Sequence, residues 1–230
     1  MIQLAVFDLD GTLVDSLGDL AAASNKALEQ NGLPVHPTES YRYFVGNGVR
    51  KLIERAVPEG TPPEKVQKVF EDFSANYEKG CLDRTRPYDG IKELLSDLCK
   101  TGIRCAVASN KPDEFSHRIT DALFDSDAFS LVRGKLETAK TKPAPDIVYS
   151  ICESLDIPVE NAVMIGDSDV DVITAHNAGI QCIGCTWGFR GEEELKAAGA
   201  EFTADTPKDI ADIIKREAEA DRSLKTEETV

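Results

Sequence analysis

Four short stretches of this chain are almost wholly apolar: "LAVFDL", "IRCAVAS", "AVMIGD" and "IQCIGCT". Runs without polar alternation suit strands of a parallel sheet covered on both faces. Between and after them, "IKELLSDLCKTG", "APDIVYSICESL" and "VDVITAHNAG" return to apolar residues every three or four positions and stop at Gly or a similar breaker. A later stretch places Ile210, Ile213 and Ile214 on one helical face. Strand and helix patterns in alternation predict βαβ units, and hence an α/β fold on a doubly wound parallel sheet.

One segment interrupts the alternation. From about Ser16 to Cys81 the pattern is helical, with no convincing strand. Its first helix carries Leu17, Leu20, Ala21, Ser24 and Leu28, with Asp15 or Ser16 as the cap and Gly32 as the stop. Another carries Val66, Val69, Phe70, Phe73 and Tyr77, opens on Pro-Pro and ends at Gly80. The expected organisation is a core of residues 1–15 and 82–230, with residues 16–81 inserted as a small all-helical unit after the first strand.

Composition narrows the function. The net charge of −15 argues against nucleic acid and against anionic membranes, so an anionic substrate needs a local cation or a bound metal. No apolar stretch approaches the roughly 18 residues of a membrane span, and "MIQLAVFDLD" does not read as a signal peptide; a cytosolic protein, monomer or homodimer, is expected. Six cysteines then read as free thiols. Cys182 and Cys185 form a C-x-x-C inside an apolar run, where they read as small buried residues rather than half a zinc site.

Three of the apolar runs end in polar clusters: Asp8, Asp10 and Thr12; Ser109, Asn110 and Lys111; Asp167, Asp169 and Asp171. Ligands of open α/β sheets bind outside the carboxyl ends of the strands, so these groups should converge on one rim, together with Lys142 from "KTKPAPD". Asp8, Asp10 and Asp167 would repel one another unless a hard cation such as Mg²⁺ lay between them. Ser109 and Lys142, with Thr12 nearby, supply a hydroxyl and a positive charge for phosphate oxygens. This is a set for phosphoryl transfer through a covalent intermediate. Asp8 reads as the ionised nucleophile, and Asp10, its pKa raised by its neighbour, as the proton donor.

At these residues the chain resembles the phosphatases of the haloacid dehalogenase superfamily. "DLDGTLVDS", "ASNK" around Ser109, Lys142 in "KPAPD", and "GDSDVDVITAHNAG" correspond to its four motifs. The resemblance implies a Rossmann-like core with a helical cap. It also implies Asp8 as nucleophile, Asp10 as general acid and then base, and Mg²⁺ held by Asp8, Asp167 and the main-chain carbonyl of Asp10. By the same resemblance Asp171 orients Lys142, and the Asn110 backbone cradles the phosphate. An Asp at position 10 favours phosphorus chemistry over halide displacement from carbon, which needs no acid.

The leaving group is a separate question. Gly46-Asn47-Gly48 precedes an apolar helical pattern and reads equally as a plain turn or as a source of free N–H groups for an anion, with Arg50 or Lys51 adding charge. This loop and the late "TWGF" resemble phosphoglycolate phosphatases, which implies a small phosphate ester that also bears a carboxylate. The alternatives are a β-phosphoglucomutase-like phosphosugar mutase or an inorganic pyrophosphatase of the same superfamily, and, from another class, a non-enzymatic phosphometabolite sensor.

Overall fold

Strand β1, Leu4–Phe7, has no exposed side chain, and its alternate residues feed two different apolar layers. The computed structural model describes residues 1–136 and 140–227. After β1 the chain passes through β2 (Val14–Asp15) into helices α1 (Leu17–Gln30), α2 (Tyr41–Phe44), α3 (Val49–Ala56) and α4 (Pro63–Gly80). It returns through β3 (Arg86–Pro87), which pairs antiparallel with β2. Helices and strands then alternate: α5 (Ile91–Lys100), β4 (Arg104–Pro112), α6 (Asp113–Leu123), β5 (Leu131–Lys135) and α7 (Asp146–Leu155). They continue with β6 (Ala162–Gly166), α8 (Asp169–Ala178), β7 (Gln181–Cys185), α9 (Glu192–Ala198), β8 (Phe202–Ala204) and α10 (Pro207–Glu227).

The main sheet has six parallel strands in the order β5-β4-β1-β6-β7-β8. Ala5 and Phe7 face a layer built with Leu94, Leu98, Ile210, Ile213 and Ile214 of α5 and α10. Leu4 and Val6 face the opposite layer, built with Val148, Ile151, Val172 and Ala175 of α7 and α8. Helices on both faces account for the missing polar alternation, and the doubly wound α/β class is observed. Cys182 and Cys185 are free and fully buried in β7.

Besides the short β2 and β3, two strands of the main sheet and two helices around it were not expected from the sequence. β5 and β8 are the sheet edges: β5 contains Arg133, Gly134 and Lys135, and β8 has three residues, so neither makes an apolar run. α6 buries only Ser116, Ile119 and Thr120, and α9 only Leu195, too little for a helical stripe.

Helices α1 to α4 share their own apolar cluster, which includes Leu20, Leu28, Tyr41, Leu52, Ile53, Phe73 and Tyr77. No strand lies between Ser16 and Cys81. The two chain crossings between this helical layer and the sheet are joined at Asp19 of α1. Its buried carboxylate accepts the Arg84 N–H (3.0 Å to each oxygen), the Thr85 N–H (2.9 Å) and the Thr85 hydroxyl (2.7 Å). No helix among the described residues is long and apolar enough to cross a membrane.

Asp19→Ala leaves those donors without their acceptor at a buried junction, and should cost about 3 kcal/mol of stability, against about 1 kcal/mol for Asp19→Asn. Urea unfolding of both variants checks this; an unchanged midpoint in Asp19→Ala would show that water satisfies the junction.

Candidate active site

Strand register builds the site. Phe7 at the end of β1 lies beside Val107 of β4 and Ile165 of β6, so the three strands reach one rim at the same level. The Asp8 N–H donates to the Ile165 carbonyl at 2.8 Å, carrying the pairing one residue further and setting Asp8 beside Asp167. The chain after β1 goes to β4 on one side, and the chain after β5 returns to β6 on the other. Such a switch in strand order opens a crevice at the carboxyl edge. Asp8, Asp10, Ser109, Asn110, Lys111, Asp167 and Ser168 line a cavity of about 40 Å³ there. Leu20, Val45, Gly46, Gly48, Val49, Leu52, Phe189 and Arg190 complete its lining.

Lys142 sits between two carboxylates, 3.0 Å from Asp8 Oδ1 and 2.6 Å from Asp171 Oδ1. The Asn110 side chain clamps the Lys142 backbone from both sides, accepting its N–H at 2.9 Å and donating to its carbonyl at 3.0 Å. Asp171 also closes a capping box on α8, accepting the Ser168 N–H (3.2 Å) and hydroxyl (2.8 Å) at Oδ2. Position 166 has to be glycine for this, since a Cβ there would stand 2.2 Å from the Asp171 carboxyl carbon. Asp167 accepts the Thr12 hydroxyl at 3.1 Å and the Phe189 N–H at 2.8 Å. Leu9 N–H donates to Asp8 Oδ1 at 2.7 Å, and among the described residues no hydrogen bond reaches Oδ2.

Burial is the first cause of the electrostatics. It raises the Asp8 carboxyl from 3.8 to about 6; Lys142 opposes the rise, and Asp171 and Asp10 add to it. Asp167 is pushed well above its ordinary value, again by burial first and then by Asp171 and Asp8. Lys142 stays charged although burial opposes it, because Asp171 and Asp8 outweigh that penalty and raise its pKa.

Asp10 turns to Lys111, whose ammonium lies 3.0 and 2.8 Å from its two oxygens. Ser16 donates to Asp10 Oδ1 at 2.5 Å, which is why that serine does not cap α1 with its side chain. Lys111 is buried, and its ammonium stands 4.9 Å from the centre of the Tyr77 ring of α4. Asp10 and Tyr77 raise its pKa against the effect of burial.

The other expected site residues divide. Ser109, Asn110, Gly46 and Gly48 line the cavity. Thr12 does not: it is fully buried, its hydroxyl serves Asp167 and its carbonyl accepts the Trp187 indole N–H at 3.1 Å, so it supports an acid rather than facing a ligand. Asn47 points to Arg55, accepting its guanidinium at 2.6 Å. Arg50 is directed along the outside of α3 and α4, donating to Gln67 at 2.6 Å, pairing with Glu54 at 3.5 Å and lying 5.6 Å from the Phe70 ring centre. Neither lines the cavity. Lys111 and Arg190 also line it; the sequence puts Lys111 on the rim without a role, and Arg190, directly after "WGF", within reach of the site but more in keeping with a solvated loop residue. Lys111 had a signal, its place directly after Ser109-Asn110.

Asp8, Asp167 and Asp171 each offer a carboxylate oxygen within 4.8 Å of the others. Asp171 spends its oxygens on Lys142 and Ser168, whereas Asp8 keeps Oδ2 and both Asp167 oxygens have a second lone pair. Two buried carboxylates with elevated pKa and open oxygens are a hard-oxygen set that fits a cation of the Mg²⁺ kind.

Comparison with known proteins follows this geometry. The profile of the haloacid dehalogenase-like hydrolases matches residues 5–185. Phosphoglycolate phosphatase of Colwellia psychrerythraea is 32% identical over 220 residues, covering 93% of this chain and 97% of that protein. Phosphoglycolate phosphatase of Neisseria meningitidis is 36% identical over 192 residues, covering 82% of each. The crystal structure of CbbY from Rhodobacter sphaeroides in complex with phosphate superposes with a TM-score of 0.71 at 28% identity, covering 90% of this chain and 95% of that one.

A carboxyl whose folded pKa lies above its unfolded one contributes most below the unfolded value, and the contribution is lost as pH rises through the folded value. For Asp8, raised from 3.8 to about 6, the loss is roughly 3 kcal/mol by neutral pH. In chelator, the thermal midpoint of wild type relative to Asp8→Asn should therefore fall by several degrees between pH 5 and 7.5. A difference independent of pH would contradict the buried charge.

Proposed function

The chain belongs to the haloacid dehalogenase-like hydrolase family and is a phosphoric monoester hydrolase, and we propose that it cleaves a small phosphate monoester, 2-phosphoglycolate, through an aspartyl-phosphate at Asp8. The observation that carries this reading is the contrast between two carboxylates two residues apart. Asp8 is buried against Lys142 and Asp167, and Asp10 is turned away onto Lys111. The two carboxylates thus have different partners, Lys142 for Asp8 and Lys111 for Asp10, and Asp8 keeps an oxygen free for attack.

In the first half, Asp8 Oδ2 attacks phosphorus and the bond to the leaving oxygen breaks, while protonated Asp10 gives that oxygen its proton. Lys142 and the Ser109 hydroxyl hold the phosphoryl oxygens. In the second half, ionised Asp10 takes a proton from water, which attacks phosphorus and frees Asp8. The Lys111 contact suits the ionised form of Asp10, the one this second half needs. Mg²⁺, held by Asp8, Asp167 and the Asp10 main-chain carbonyl, supplies positive charge against the phosphoryl oxygens when bound. The acid belongs to the phosphate chemistry: a halide leaving from carbon would have no use for it.

Residues 16–81 serve as a cap over a core of residues 1–15 and 82–230, which acts in the cytosol on a diffusible substrate. The reading of hydrolysis over phosphosugar transfer is supported by the curated relatives. The two curated relatives carry the name of a phosphatase for such a small ester.

Asp8→Asn should lower kcat by at least about 10⁴-fold with the fold intact by circular dichroism, since the nucleophile itself is lost. Measurable turnover near the wild-type rate would remove Asp8 from that role. Asp10→Asn should lose about 10²- to 10³-fold with alkyl phosphates and much less with a nitrophenyl ester, whose leaving group needs no proton. Equal losses with both substrates would contradict the acid.

A further inference from the structure

We propose that Arg190 reads a carboxylate on the leaving group and is the residue that makes this enzyme choose anionic over neutral phosphate esters. The inference rests on the phosphatase reading above and adds the source of its selectivity.

The two buried lysines near the reacting end are already committed. Lys142 pairs with Asp8 and Asp171, and Lys111 with Asp10. Four carboxylates against these two ammonium groups leave an excess of two negative charges, which one divalent cation offsets. A second anionic group on the substrate needs a further cation. Apart from the groups already named, the cavity is lined by Leu20, Val45, Gly46, Gly48, Val49, Leu52, Phe189 and Arg190, and Arg190 is the charged residue among them.

The guanidinium is built into place. It is 10% exposed, its Nη2 donates to the Val45 carbonyl at 3.0 Å, and its centre lies 5.3 Å from the Tyr43 ring centre. Glu194 of α9, more exposed, forms an ion pair with Nε at 3.4 Å. Among the described residues no hydrogen bond engages Nη1. A planar fork held on one edge by a carbonyl presents its other edge in the geometry that grips a carboxylate. Arg50, the cation expected to do this, lies on the outer surface instead.

A matched pair of substrates tests the inference: 2-phosphoglycolate and 2-hydroxyethyl phosphate, equal in length and differing in the carboxylate. Arg190→Gln should lower kcat/KM for phosphoglycolate by about 10- to 100-fold, mainly through KM, and for hydroxyethyl phosphate by less than about threefold. Arg190→Lys, which keeps the charge but loses the fork, should fall between, and Arg50→Gln should behave as wild type. Equal losses on both substrates in Arg190→Gln and Arg190→Lys would overturn the inference, leaving Arg190 as a strut between its loop and Val45. A wild type that hydrolyses both esters equally well would also overturn it while the phosphatase reading stood. A wild type inert towards both, and towards a nitrophenyl phosphate, would instead remove the phosphatase reading.

Discussion

Lys142 stands between Asp8 and Asp171 with all three side chains nearly closed to solvent, and the rest of the site is arranged around that line of charge. Burying three charges is expensive, and well-packed apolar replacements of such groups are often as stable or more so. Stability therefore does not explain the line; the chemistry proposed at Asp8 does. Once present, it constrains its surroundings, because losing one member leaves a buried charge uncompensated at a cost of about 3–5 kcal/mol. The Asn110 amide fixes the Lys142 backbone, Ser168 occupies the second Asp171 oxygen, and glycine at 166 makes room for the carboxyl.

The same constraint explains how a chain of net charge −15 can bind an anion. Surface potential repels the substrate, so attraction must be local and shielded from solvent salt. Three cations are gathered where they are least hydrated: Lys142, Lys111 and Arg190 have side chains 1%, 2% and 10% exposed. Each is held by at least one acceptor from another part of the chain, so little side-chain entropy remains to be lost on binding.

The legible parts of the fold were those whose burial is complete. β1, β4, β6 and β7 are interior strands covered on both faces, and their apolar runs stand out for that reason. β5 and β8 lie at the edges, where half-exposed positions leave no such run. At the site, Asp8, Ser109 and Asp167 were legible because each comes one or two residues after the level at which Phe7, Val107 and Ile165 pair across the sheet. Thr12, Asn47 and Arg50 were misplaced because spacing does not say which way a side chain on a turn or an exposed helix points. Arg190 was hidden for a related reason: its burial is created by Tyr43 and Val45, far away in sequence.

The helical layer meets the loops of the rim through apolar and ring contacts, with Phe189 buried in its cluster, and through main-chain acceptors. Arg42 donates to the Gly188 carbonyl at 3.2 Å, Asn110 to Gly46 at 3.0 Å and Arg190 to Val45 at 3.0 Å. At about 1 kcal/mol net each, these three bonds are weak beside the apolar cluster that holds α1 to α4 together. Under the proposed cap role the layer and the rim share the buried Phe189 as well as these bonds, and Asp19 ties the returning chain to α1. Two of the three donors, Asn110 and Arg190, also line the cavity, so a ligand there competes for or reinforces the groups that hold the roof down. Selectivity and closure then draw on the same few hydrogen bonds, and the chemistry at Asp8 is set separately by the register of the sheet.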